Sequence, residues 1–232
     1  MKRLSHSVFA AVFALIILIC SGCSNVDENM EVLDTEAPAG PKSIFMGTYE
    51  QDGNADTAEP IEWIVLAEED GKMLVISKYA LDCQMFNSVY GECSWDICSI
   101  RTWLNNDFYS NVFKPNEQAR IRQLNVQADP NLENPEVDNG MSTLDKVFLL
   151  SSTQINLYFP DESSRKCQAT VYAENAGVMT DADGNCCWWL RTIGHGFRAA
   201  CYVDARGSVS HDGRGVDYVL YGVRPAMWIV AE

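Results

Sequence analysis

Two apolar runs, residues 61–66 and 73–77, flank the tetrapeptide Glu69-Asp70-Gly71-Lys72, and this arrangement constrains the fold more than any other feature of the chain. Asp-Gly readily supplies the two positive-φ residues of a tight turn, so the runs pair as an antiparallel hairpin. In the first run Trp63 and Val65 face one side and Ile64 and Leu66 the other. Ile44-Phe45-Met46 predicts another strand before it, followed by a polar turn around Asp52-Gly53-Asn54. From Cys186 onward, residues 186–192, 199–204, 216–221 and 223–230 read as strands. Turns at Asp204-Ala205-Arg206-Gly207 and His211-Asp212-Gly213-Arg214-Gly215 separate them.

Helices fill the middle. Ile97, Ile100, Arg101, Leu104 and Phe108 recur at helical spacing within residues 94–113, with Ser94 or Asp96 as the cap. Pro115 suits the first position of a second helix over residues 116–124, and residues 128–140 read as a loop. Residues 145–151 form a short buried strand, 152–159 a helical segment capped by Ser151 or Ser152, and 169–176 another. Strands at both ends around two central helices predict a single α+β domain. The composition, 47% apolar and 21% charged, suits one core.

A net charge of −15 repels phosphate backbones, and no basic patch overrides it, which argues against a nucleic-acid partner. Lys2 and Arg3, the apolar run 8–19 and Ser21-Gly22-Cys23 form a secretory layout ending in a lipobox-like triplet, although Cys20 stands where Leu is usual. The expectation is a signal peptide over 1–22, lipid on Cys23, an acidic tether over 23–43 and a globular domain over 44–232. The membrane is then a partner through the lipid anchor, and the domain is extracytoplasmic.

Of nine cysteines, Cys20 leaves with the signal and Cys23 carries lipid. Cys83, Cys93, Cys98, Cys167, Cys186, Cys187 and Cys201 remain, an odd set in a setting that permits disulfides. Cys186 and Cys187 point to opposite sides of a strand, so their partners differ. Without a Cys-x-x-Cys pair, and with only His195 and His211 to help, the pattern calls for no metal, and nothing calls for a cofactor. Asp181-x-Asp183-x-Asn185 opens like a calcium loop, but Cys186 and Thr192 occupy the positions that need Gly and Glu, so a turn is the better reading.

Trp188 and Trp189 are either core residues or a platform for a sugar or other planar ligand. Arg191 and Arg224 sit in apolar strands, where a guanidinium needs acceptors. Each is either a structural ion pair, with Asp145, Asp204 or Glu62 as partner, or a clamp on an anionic ligand; the structural reading is preferred, and Arg191 is also kept as a candidate ligand-binding residue. His195 and His211 lie in glycine-rich turns and join the candidate ligand-binding set. No catalytic set emerges: Gly-x-Ser-x-Gly and His-Glu-x-x-His are both missing.

IEWIVL at 61–66, LLSST at 149–153, CWWLRTIG at 187–194, the Gly-Ser-Val turn at 207–209 and GVRPAMWIV at 222–230 resemble, in that order, a bacterial extracellular family known only as a domain of unknown function. Leu81-Asp82-Cys83, Phe86-Asn87, Trp95, Ile100-Arg101 and Trp103-Leu104-Asn105 resemble its first block, and Thr192-Ile193 departs from its usual Ser-Pro. The Gly-Val-Arg-Pro ending is also similar to the Gly-Phe-Arg ending of the formylglycine-generating-enzyme group. That resemblance implies a C-type-lectin-like fold, whose last strand lies near its first. The family pattern implies bridges of Cys83 with Cys98 and of Cys167 with Cys186 or Cys187, with Cys201 a further candidate. The functional expectation is a non-enzymatic, surface-anchored, lectin-like module for a glycan or protein ligand. The alternatives are an enzyme acting through a cysteine pair and a purely structural envelope protein.

Overall fold

The computed structural model describes residues 41–231. The expected leader and the expected lipid site Cys23 lie outside these residues, as does most of the expected tether. The described part is a single α+β domain, mostly strands with short helices and a curled sheet.

One five-stranded sheet has the order β1-β2-β3-β12-β5, with β1 Ser43–Tyr49, β2 Glu59–Glu69, β3 Lys72–Ser77, β12 Ala226–Val230 and β5 Ile121–Arg122, all antiparallel. The β2–β3 turn is as expected: Asp70 and Gly71 have φ of 48° and 70°, and Glu69 faces Lys72. Trp63 is fully buried and its indole N–H donates to Met46 O at 2.8 Å, which ties β1 to β2 through the core. A second five-stranded sheet has the order β10-β9-β8-β11-β4, from Val209–Gly215, Ala199–Val203, Trp188–Ile193, Gly222–Val223 and Asp82–Cys83. Here β11 runs parallel to β8 and antiparallel to β4. A small ladder joins β6 Leu124–Val126 to β7 Thr143–Asp145.

One ribbon belongs to both sheets. β3 leads through residues 78–81 into β4, and β11 leads through Arg224-Pro225 into β12; the two paths run antiparallel side by side. The amides of Ser77 and Leu81 donate to Pro225 O and Val223 O, both at 2.9 Å, so pairing continues across the bend. Pro225 has no amide to offer and stands where the strand changes sheet.

Several local readings change. Residues 94–113 are not one helix. A 3-10 turn, Trp95–Ile97, precedes α1 (Ser99–Trp103), a π-turn (Leu104–Phe108) and α2 (Tyr109–Val112). Ile100, Leu104 and Phe108 are buried, but Ile97 is 65% exposed because the 3-10 turn rotates it off that face. Asn105, in the π-turn, donates to Val147 O at 2.8 Å and accepts from the amide of Lys146 at 2.8 Å, mimicking a strand partner. The second helix is one turn, α3 Pro115–Gln118. Residues 121–126 are strands instead, because Ile121 pairs with Ile229 and Val126 with Thr143. α4 Ser152–Tyr158 has Ser151 as its cap, whose hydroxyl accepts from the Gln154 amide at 3.2 Å. α5 is Glu162–Arg165 and α6 is Val171–Ala176.

The turn expected at 211–215 is the end of β10, bulged at Gly213 with φ of 79°, whereas residues 216–221 form no strand. The rings there pack instead, Tyr221 lying 4.6 Å from Tyr202 and 4.8 Å from Trp189. Asp181 accepts from the amides of Asp183 and Asn185, at 2.9 and 2.8 Å, which makes the calcium-like segment a turn.

The cysteines regroup as well. The 3-10 turn brings Cys98 beside Cys93, where the Cys98 thiol donates to Trp95 O at 3.2 Å. The expected partner Cys83 bonds Val219 O at 2.9 Å. A Cys93–Cys98 link would close a short loop and contribute about 2 kcal/mol in the chain-entropy picture. Non-reducing peptide mapping of oxidised protein is expected to recover Cys93 joined to Cys98; a Cys83–Cys98 peptide would contradict this packing.

Asp145 is fully buried and accepts from Arg101 Nε at 2.7 Å, Trp95 Nε1 at 2.9 Å and Thr143 Oγ1 at 2.5 Å. Arg101→Met strands a buried carboxylate, so urea unfolding is expected to show a loss of about 3–5 kcal/mol. A loss below about 1 kcal/mol, the range of exposed pairs, would contradict that role.

Candidate functional site

The structure separates the candidate residues sharply. Trp188 and Trp189 are fully buried. Trp188 Nε1 donates to Arg165 O at 3.2 Å, and Trp189 Nε1 to Gln84 O at 2.9 Å, with Phe86 packed on the Trp189 ring at 5.9 Å. Neither offers a face to a ligand.

Arg191 is 4% exposed, and its partners are protein groups. It donates to Asp129 Oδ2 at 2.6 Å, Gln154 Oε1 at 2.5 Å, Leu149 O at 2.9 Å and Gln127 O at 3.3 Å. The ion-pair reading therefore fits, but the carboxylate is Asp129 rather than Asp145, Asp204 or Glu62. Burial draws its pKa down to about 10 against the pull of Asp129 and Asp145.

For Arg224 the sequence reading needs correction. Among the described residues no carboxylate pairs with it; Nε donates to Ser77 O at 2.9 Å, and the guanidinium lies 4.9 Å from the Trp188 ring and 5.5 Å from that of Phe159. Two aromatic faces replace the carboxylate because the bend of the ribbon is filled by core side chains. Nη1 is buried without a partner.

His211 is buried and its Nδ1 has no partner; its carbonyl accepts from Asn131 Nδ2 at 2.8 Å. His195, by contrast, is exposed. It lies on the β8–β9 connection, which Gly194 N→Ala199 O (2.7 Å) and Ala199 N→Gly196 O (3.0 Å) close. The His195 amide donates to Asp212 O at 2.9 Å, and its Nδ1 lies 2.7 Å from the same oxygen. A carbonyl only accepts, so Nδ1 carries a proton and donates to it. Gly194 permits this approach, since a Cβ there would stand 2.2 Å from Asp212 O.

His195 opens onto a cleft of about 460 Å³ lined by Tyr90, Glu92, Phe197 and Arg198 together with backbone of Gly196, Ala199 and Gly215. Tyr90 is 59% and Phe197 46% exposed, while most of the domain's aromatic rings are packed inside. The Arg198 guanidinium lies 5.6 Å from the Tyr90 ring. The Cys93 amide donates to Phe197 O at 2.7 Å, and the Val216 amide to Arg198 O at 3.0 Å, so the backbone beneath the ring is fixed. A smaller cleft of about 170 Å³ shares Glu92 and Phe197 and adds Ile97 and Asp138.

Sequence reasoning found His195 and missed Tyr90, Glu92, Phe197 and Arg198. The Gly-His-Gly-Phe-Arg run at 194–198 carries the signal: an imidazole, a phenyl ring and a guanidinium set among glycines in a turn have no core to enter. Elsewhere Glu50, Asp52 and Glu59 place carboxylate oxygens within 4.8 Å of one another. They accept from the amides of Gly53, Asn54 and Gln51, as turn residues do.

No curated protein and no solved structure matches this chain. Among the described residues no helix is long and apolar enough to cross a membrane. A family model described as Domain of unknown function (DUF6273) matches residues 70–231, and the chain belongs to that family.

Proposed function

We propose that this protein is a lipid-anchored, extracytoplasmic binding module that holds a neutral glycan in the Tyr90–Phe197 cleft. The observation that carries the reading is the pair of exposed rings on a fixed backbone, with Glu92, His195 and Arg198 between and beside them. Aromatic faces take the C–H face of a sugar, and planar polar side chains take its hydroxyls. The acidic net charge disfavours anionic polymers. A lectin-like fold is supported by the placing of β12 in the same sheet as β1, with two strands between them. The close thiol pairs are at most 2% exposed, which favours binding over cysteine chemistry at the surface.

The test is a glycan array on the detergent-solubilised full chain, followed by calorimetry on the best hit. Tyr90→Ala and Phe197→Ala are each expected to weaken binding about tenfold or more, roughly 1.4 kcal/mol, with an unchanged melting temperature. A protein captured in place of any glycan, or binding indifferent to both substitutions, would contradict the proposal. The anchor has its own check. Cys23→Ser is expected to move the chain from the membrane pellet to the soluble fraction, and retention in the pellet would remove the lipid from the account.

A further inference from the structure

We infer that Cys167 and Cys186 form a reversible redox couple set by Arg224, whose buried guanidinium has the Cys167 thiolate as its counter-ion in the dithiol state and loses it in the disulfide.

The local ladder brings the two sulfurs together. The Cys186 amide donates to Cys167 O at 2.8 Å and the Ala169 amide to Gly184 O at 3.1 Å, while Gln168 bridges Asn185. Both are buried, at 2% and 0% exposure, and Cys167 Sγ lies 3.7 Å from Lys78 O, next in the chain to the Ser77 carbonyl that Arg224 holds. Gly222 makes room: a Cβ there would stand 3.3 Å from Cys186 Sγ and 2.6 Å from Ala80 Cβ.

Arg224 supplies the second observation. It is 2% exposed, its Nη1 is buried and unpartnered, and among the described residues it has no carboxylate. A buried charge without a counter-ion is strongly unfavourable, so the ionisable group beside it tends to neutralise it. Burial opposes ionisation of Cys167 most strongly, but the neighbouring Cys186 thiol, the charge of Arg224 and the Ala80 backbone together outweigh it and bring the thiol to about 7. Cys186 is pushed the other way, chiefly by its bond to Cys167, then by burial and by Cys187. One negative charge is thus shared between two sulfurs, with Arg224 as its cation and Cys187 as the other thiol facing the pair.

Oxidation removes that charge. The Cys167 thiolate attacks a low-molecular-weight disulfide, RSSR, and releases RS⁻. Cys186 gives up its proton, displaces the second RS⁻ from Cys167 and closes the Cys167–Cys186 bond. RSSR is reduced to two RS⁻, one taking the Cys186 proton and the other a proton from water, as the protein dithiol is oxidised. The ion pair with Arg224 exists only on the dithiol side, so Arg224 favours reduction and makes the disulfide easier to reduce than a purely structural one. Burial slows exchange without altering the equilibrium, which is the quantity to measure.

The full chain is equilibrated with mixtures of reduced and oxidised glutathione, and alkylation of Cys167 and Cys186 is read by mass spectrometry. Arg224→Gln is expected to shift the equilibrium tenfold or more toward the disulfide, about 30 mV for this two-electron couple. Arg224→Lys, which keeps the charge, is expected to stay near the wild-type value. An Arg224→Gln equilibrium equal to wild type overturns the inference. If Arg224→Gln does not fold, thiolate absorbance of the reduced wild-type chain decides. One thiolate titrating well below the ordinary thiol range, and lost in Cys167→Ser, supports the ion pair; its absence overturns it.

Discussion

A single antiparallel ribbon, bent where Arg224 fills the corner, joins the two sheets. β3 and β12 pair in one sheet, β4 and β11 in the other, and the backbone bonds of Ser77 and Leu81 to Pro225 and Val223 bridge the change of direction. Fixing such long-range pairing is entropically expensive, and the apolar surface it buries has to offset that. The guanidinium takes part: it bonds Ser77 O on one path while lying against Trp188 of the second sheet. A charge therefore sits inside the corner of the ribbon. Arg224 Nη1 has no hydrogen-bond partner, and we infer that its charge sets the chemistry of the neighbouring thiol pair.

Much of this frame was legible in the sequence, because its signals are local. Asp70-Gly71 admits one kind of turn, and Ser151 three residues before Gln154 forms a capping box. What failed depends on partners far along the chain. Residues 121–126 have helical neighbours in sequence, yet Ile121 finds Ile229 across a sheet. Residues 211–215 look like a glycine turn, but Gly213 bulges a strand that β9 holds in place. Arginine partners fail for the same reason: Asp145 goes to Arg101 and Asp129 to Arg191, pairings that no spacing announces.

The candidate site divides along the same line. The tryptophans attract attention in the sequence but alternate into two buried faces, whereas the glycine-flanked His195 and Phe197 stay outside because their turn has nowhere to bury them. The cleft rests on a stiff support, through Asp212 beneath His195 and Cys93 beneath Phe197. A ligand there meets preorganised groups and little ordering penalty. Among the described residues two arginines, Arg191 and Arg224, and two aspartates, Asp82 and Asp145, are buried, so burial leaves the acidic balance of −15 on the surface. Such a surface suits an uncharged ligand better than an anionic one.

Native-state hydrogen exchange on the ribbon tests the central claim most directly. If the bent ribbon unites the sheets, the amides of Ser77 and Leu81 exchange only through global unfolding, with the same free energy as buried amides of β3 and β8. Exchange of Ser77 and Leu81 at a clearly lower free energy, while the strands on either side stay protected, would show that the sheets are held together by something other than this joint.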